Sequence, residues 1–322
     1  MPTWFYYDNA GQKQGPVTGG QLKSLAQSGH ITPETVIETD NGKTAKAGKV
    51  QGLMFVETKQ PVAVQPQPAS TDERRSLLAM PLLRDMEFNP DAVIRRLRNH
   101  WGVSIRDEDV NVSSPKDKTC VWHIEGYMVT MSLLPCRVPD GEFDSLFPVS
   151  LYWRNAEEET ATHQSHVIVY VSSETGTAIE RYSLFTKVVE SILVETNSLG
   201  VYQGNQTLLI SREIYLGMSQ MLLNGDLPLL LWIFIGIGGS SKGNMLYTFG
   251  LTGFDKMEME IVDSQQDVDD LYEFLVNICG YVISNDITFT KGETLGYTED
   301  VAATIDISKG ICLDGNTIKL KM

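Results

Sequence analysis

Cys120-Val121-Trp122-His123-Ile124-Glu125-Gly126-Tyr127-Met128-Val129-Thr130-Met131-Ser132-Leu133-Leu134 is two strand-forming runs joined at one glycine. β-Branched and aromatic residues fill both runs, and Gly126 is the turn signal between them, so 120–125 and 127–134 read as a β-hairpin. A hairpin makes an antiparallel pair, whereas parallel neighbours need a crossover of a dozen or more residues. The stretch therefore argues against a doubly wound sheet.

Patterns on either side agree. Asn89-Pro90-Asp91 has the form of a helix start, with Val93, Leu97 and Trp101 recurring at four-residue steps and Gly102 as the stop. A short apolar strand covers 166–171, and a helix covers 177–196 with Ala178, Tyr182, Phe185, Val189 and Ile192 on one face. Residues 211–224 form another helix, stopped by Gly225. A second hairpin is expected from 229–237 and 245–251, then a strand over 257–262. Ser264 and Asp267 cap a helix whose face is Val268, Leu271, Leu275, Ile278 and Val282, and short strands follow. Hairpins mixed with helices give an α+β fold with a mixed or mostly antiparallel sheet over 76–322.

The N-terminus differs in character. Trp4-Phe5-Tyr6-Tyr7 reads as a short strand, Asn9-Ala10-Gly11 as a turn, and Gly15-Pro16 as a bend. Thr18-Gly19-Gly20-Gln21 has capping-box form, Leu22, Leu25 and Ala26 share a helical face, and Gly29 ends the helix. Residues 31–37 open a further turn and strand. Consecutive large aromatics are costly in water unless they form a core or a contact face, and they serve both ends. Between this small α+β module (1–56) and the large domain, 57–75 holds Pro61, Pro66 and Pro68 among Gln and Ala, an extended spacer. A plain tether is the simpler reading; docking of this segment into the module is the sharper one.

The module resembles the bacterial GYF-like domain. Trp4-x-Tyr6-Tyr7, Gly11, Gln14-Gly15-Pro16-Val17, Leu22, Leu25, Gly29, Ile31-Thr32-Pro33 and Thr35-Val36 carry the likeness over about residues 3–55. Better-known members bind proline-rich peptides in an aromatic groove, where flat rings grip a pre-ordered polyproline II ridge. The resemblance implies a protein or peptide partner, with proline-rich peptides as its ligand class, and Trp4, Tyr6, Pro16 and Val17 as groove residues. Val17 stands where those members carry an aromatic, and the later Trp and the Gly-Tyr-Phe signature are absent, so about half of the aromatic groove is missing.

The large region is similar to a bacterial domain of unknown function, the family numbered 4261, over about 80–315. Gly126-Tyr127-Met128-Val129, Pro139-Asp140-Gly141-Glu142, Ser165-His166-Val167-Ile168-Val169, Leu199-Gly200-Val201-Tyr202, 227–232, Tyr247-Thr248-Phe249-Gly250-Leu251 and Leu271-Tyr272-Glu273-Phe274-Leu275 carry that likeness. It implies one continuous domain and no activity.

Charge limits the partners. The 322 residues carry a net charge of -15, and almost all of it lies outside the module: 61–322 holds 20 basic and 36 acidic residues. Such a surface repels phosphate backbones, so nucleic acid and anionic membranes are excluded as expected partners. Cys120, Cys136, Cys279 and Cys312 are widely spaced, which fits buried thiols in a reduced compartment. Met-Pro-Thr-Trp has neither a basic nor an apolar leader region, and the apolar run 227–237 is too short to span a bilayer. The expectation is a soluble cytoplasmic protein.

Catalytic patterns fail on inspection. Gly239-Ser240-Ser241-Lys242-Gly243 matches a nucleophile elbow, but a strand pattern follows it and no His occurs after His166. His163-Gln164-Ser165-His166 has ligand-like spacing, but the two rings fall on different elements, and Cys120 and His123 alternate to opposite strand faces. No catalytic residue, metal site or cofactor is assigned, and the chain reads as non-enzymatic. Two alternatives stay open. One is an enzyme with a pocket gathering several of Glu125, Asp140, Arg154, His163 and His166; the other is an acidic inhibitor or immunity-type protein. The oligomeric state is not legible.

Overall fold

The computed structural model describes residues 3–7, 12–27, 31, 35–50, 53, 75–113, 118–240, 242–297 and 302–322. The chain divides into two compact units, Met1–Pro61 and Val62–Met322. The expected turn at 9–11, the helix stop at Gly29 and all of the spacer except Arg75 lie outside the described residues.

In the first unit, β1 (Thr3–Tyr7), β2 (Lys13–Thr18), α1 (Gly19–Gln27), β3 (Val36–Thr39) and β4 (Thr44–Lys46) form an antiparallel sheet of order β2-β1-β3-β4 with one helix. The capping box forms: the Thr18 N–H donates to Gln21 Oε1 at 2.9 Å, and the Gln21 N–H donates to Thr18 Oγ1 at 3.3 Å. This satisfies two groups that a helix end would otherwise leave open. Leu22 and Ala26 of α1 pack on Ile31, Ile37 and Ala47 to make a small core.

The second unit contains β5 (Ser76–Leu83), α2 (Pro90–Asn99), β6 (Val110–Ser113), β7 (Thr119–Ile124), β8 (Tyr127–Leu134), α3 (Ala156–Thr160), β9 (Ser165–Ser173), α4 (Ala178–Glu195), β10 (Ser198–Gln203), β11 (Leu208–Ser211), α5 (Arg212–Ser219) and α6 (Leu229–Trp232). Then come β12 (Phe234–Ser240), β13 (Gly243–Phe249), β14 (Met259–Ser264), α7 (Val268–Ser284), β15 (Thr294–Gly296), β16 (Ala302–Lys309) and β17 (Asn316–Lys321). Seven strands form an antiparallel sheet of order β11-β10-β5-β9-β8-β7-β6. Its β7–β8 hairpin turns through Glu125 (φ 48°) and Gly126 (φ 88°), the paired positive angles of a two-residue loop. The second sheet has order β12-β13-β14-β17-β16-β15 and is antiparallel except where β14 runs parallel to β17. The class is α+β, as the hairpin patterns require.

Helix ends follow local chemistry. Asn89 accepts from the N–H groups of Asp91 and Ala92, Thr177 and Glu180 make a capping box, and Asp267 accepts from the Asp269 N–H. α4 lies across β5 and β9 with α2 and α5 beside it. The buried residues of both sheets join in one apolar core. On the other face of the first sheet, Trp153 packs over Gly200, where a Cβ would come within 2.5 Å of the indole. Trp101, Trp122, Trp153 and Trp232 are all buried.

Two expectations need correction. The run 229–237 is not one strand: residues 229–232 make the helical turn α6, and the strand starts at Phe234. A continuous apolar run has no period to separate a buried helix turn from a buried strand, and here Leu231 and Trp232 are sealed in the core from the helical turn. Of the four thiols, Cys120 and Cys279 are buried as expected, but Cys136 is exposed and Cys312 half-buried. All four are unpaired. Burial pushes the Cys120 thiol up to about 11. Among the described residues, no helix is long and apolar enough to cross a membrane.

Candidate peptide-binding site

β1 is the centre of the first unit's aromatic surface. Side chains alternate along a strand, so Trp4 and Tyr6 point to the side of α1, with Ile37 opposite Tyr6 on β3. Trp4 pairs with Val17 on β2, and Tyr6 pairs with Gln14. Two residues of β2, Gly15 and Pro16, therefore face the single residue Phe5. This is a bulge, with Gly15 at φ 125°. Trp4, Tyr6 and Val17 pack against the core of Leu22, Ala26 and Ile37, yet all three remain half-buried. Pro16 is exposed in the bulge. The structure thus brings Trp4, Tyr6 and Val17 to one side of the sheet, with Pro16 adjoining them.

The opposite face carries a group the sequence reading missed. The Tyr7 hydroxyl donates to Glu38 Oε2 at 2.7 Å, and Lys13 Nζ lies 2.9 Å from the same oxygen. Lys13 also stands 4.3 Å from the centre of the Phe5 ring, a cation–π contact. Hydrogen bonds from Lys13 and Tyr7 hold the Glu38 carboxyl below its ordinary range, and the bond to Glu38 raises both the tyrosine and the lysine. Alternation along 4–7 separates Phe5 and Tyr7 from Trp4 and Tyr6. The arrival of Lys13 and Glu38 beside them depends on strand register, which is not a local signal.

In the second unit, the residues weighed for catalysis do not converge. Gly239 and Gly243 belong to the β12–β13 hairpin, which is no strand-to-helix turn. Ser241 lies outside the described residues. Glu125 sits in the β7–β8 turn, Arg154 is exposed, and Asp140 pairs with Arg137 at 3.2 Å. His163 and His166 are buried clamps on one loop. The Val138 N–H donates to His163 Nε2 at 2.8 Å, and His166 Nδ1 is 3.0 Å from the Cys136 carbonyl. Burial lowers both histidines. Among the described residues, no three His, Cys, Asp or Glu side chains are placed to hold a metal ion.

Two buried glutamates, Glu258 just before β14 and Glu260 within it, were also missed. Glu258 accepts from Thr248 Oγ1 (2.7 Å) and from the N–H groups of Gly250 (2.9 Å) and Thr252 (3.2 Å). Burial outweighs those bonds and pushes its carboxyl up to about 7. Glu258 is among the residues lining a pocket of about 360 Å³, whose walls mix Met257, Met259 and Phe289 with Lys256 and Asp314. Glu260 is paired with Lys319 and accepts from three N–H groups of residues 311–313. No sequence period marks either residue as buried.

Comparison with family models matches residues 4–41 to GYF domain 2 and residues 247–321 to a domain of unknown function (DUF4261). The first match identifies the small module as GYF-like and supports a protein partner for it. The second falls on the second sheet and its helix. No curated protein and no solved structure matches the chain.

Proposed function

We propose that this chain is a non-enzymatic adaptor. Residues 1–56 dock a protein or peptide through Trp4, Tyr6, Pro16 and Val17, and the acidic domain 76–322 performs a second binding task. One observation carries the reading: Trp4, Tyr6 and Val17 share a side of the sheet, and none of them is sealed by α1. A contact face keeps ring area in reach of solvent, and the half-buried Trp4 and Tyr6 do so. A proline-rich segment suits such a face, because polyproline II is ordered before it binds and loses little entropy on docking.

The test uses the full chain and a fluorescein-labelled decaproline peptide, read by anisotropy. Binding that is lost in the Trp4→Ala/Tyr6→Ala variant supports the reading. Because both rings also touch the core, Pro16→Ala serves as a second variant at an exposed position. Equal binding by the wild type and both variants, or none by the wild type, overturns the proline-rich assignment.

A further inference from the structure

Among the described residues, the three sheets have six edges, and five of them are protected. β2 is bulged at Gly15-Pro16 and carries Lys13; β4 has three residues and ends in Lys46. β6 has four residues and follows the acidic turn Asp107–Asp109. β11 has four residues, and its Ser211 N–H is taken by the Tyr152 carbonyl at 3.2 Å. β15 has only three. Short length, charge, proline, bulges and covering segments are the usual devices against unwanted strand pairing.

β12 has no charge, proline or bulge and is not short. It runs seven residues, Phe-Ile-Gly-Ile-Gly-Gly-Ser, without charge or proline. Its register with β13 is unbroken from Phe234↔Phe249 to Ser240↔Gly243. In an antiparallel ladder, alternate residues turn their N–H and C=O groups outward. Among the described residues, no backbone hydrogen bond beyond the β12–β13 ladder reaches 234–240. Ile237 is 39% exposed, and a side chain added at Gly238 would meet open space.

Charge selects the occupant. Residues 227–254 hold one charged residue, Lys242, in a chain of net charge -15. Copies of so acidic a chain repel one another wherever their carboxylates come within a Debye length of about 8–10 Å. The β12 hairpin is a surface where two copies can meet without that opposition. An antiparallel edge is also self-complementary: a two-fold axis lays the same row of donors and acceptors against itself. We propose that two copies of this chain associate by antiparallel β12–β12 pairing around residues 236–238, joining two six-stranded sheets into one.

Sedimentation equilibrium of the full chain over roughly 1–100 µM tests this. The expected result is a species of twice the 35.8 kDa chain mass. Ile237→Lys and Gly238→Lys each place like charges at the axis, and each should weaken association at least about tenfold. The side chain added at Gly238 would meet open space and Ile237 already reaches solvent, so the fold is kept, and unchanged circular dichroism checks that. Amide exchange at 235–239 should slow as concentration rises in the wild type and stay fast in the variants. A wild type that is monomeric throughout overturns the proposal, including the case where an added extended peptide protects those amides. A dimer that neither substitution weakens also overturns it.

Discussion

Glu260 and Lys319 stand opposite each other on the parallel strands β14 and β17, and their side chains close a buried ion pair. The carboxylate also accepts from the N–H groups of Ile311, Cys312 and Leu313 at 3.0–3.2 Å, while Lys319 Nζ donates to Thr317 Oγ1 at 2.6 Å. Removing one partner strands a charge in the core, and that loss is typically about 3–5 kcal/mol. Lys319→Met should destabilise the second unit by that amount in urea unfolding. The double variant Glu260→Gln/Lys319→Met should cost less than Lys319→Met alone, because it leaves no unpaired carboxylate. An equal or larger loss in the double variant would assign the effect to packing.

Glu258 makes stability depend on pH in the opposite sense to an ordinary surface carboxylate. Its folded value of about 7 lies above the ordinary 4.5. Between those values the folded state holds a proton that the unfolded state has released, so the slope of stability with pH is negative. The contribution is full below about pH 4.5 and is lost as pH rises through about 7. The whole interval is worth about 3 kcal/mol. Unfolding free energies at pH 5 and pH 8 should show this fall in the wild type, with most of it absent from Glu258→Gln.

His163 works in the reverse direction. Its Nε2 accepts the Val138 N–H and so must be unprotonated, and its Nδ1 faces the Thr160 carbonyl. Burial holds it below the usual histidine value; Arg137 adds to the effect, and Asp140 and the Thr160 carbonyl oppose it. His166 packs nearby and is lowered in turn by burial and by His163. In this window the unfolded state binds the proton more strongly, so stability is present above about pH 6.5 and is lost as pH falls below it. His163→Gln should flatten that acid limb. The amide of Val138 should exchange faster in the wild type at pH 5 than at pH 7, after correction for intrinsic rates.

Gly15 tests the bulge that shapes the aromatic side of the first unit. Its φ of 125° disfavours any side chain, and a Cβ would come within 3.0 Å of Phe5 Cδ1 and of the Trp4 carbonyl oxygen. Gly15→Ala should cost about 1–3 kcal/mol in this unit. It should also weaken peptide binding while leaving the amide exchange of the second unit unchanged. Retained affinity would separate the bulge from the binding surface.

Much of this architecture was legible because its determinants are local. Asn89, Thr177, Thr18 and Asp267 start their helices through hydrogen bonds spanning two or three residues. The β7–β8 hairpin is decided by the two residues between its strands. What was hidden is non-local. Lys319 meets Glu260 across 59 positions, and Glu38 reaches Tyr7 across 31. Neither encounter leaves a period in the chain. The misread α6 has another cause: Leu229, Leu230, Leu231 and Trp232 are apolar on every side, so no alternation exists to distinguish its shape. At the candidate site, the likeness pointed to Trp4, Tyr6, Pro16 and Val17, and alternation separates Trp4 and Tyr6 from Phe5 and Tyr7, but only the register sets Val17 opposite Trp4 and brings Lys13 and Glu38 beside Phe5 and Tyr7.

β17 lies inside its sheet, between β14 and β16. During synthesis, the strands up to residue 264 emerge with the flank of β14 unclaimed. The sheet cannot be completed until residues 316–321 have left the ribosome. Until then, the nascent protein presents an open seam beside a buried-to-be glutamate, which is the interval when a holding chaperone would matter most.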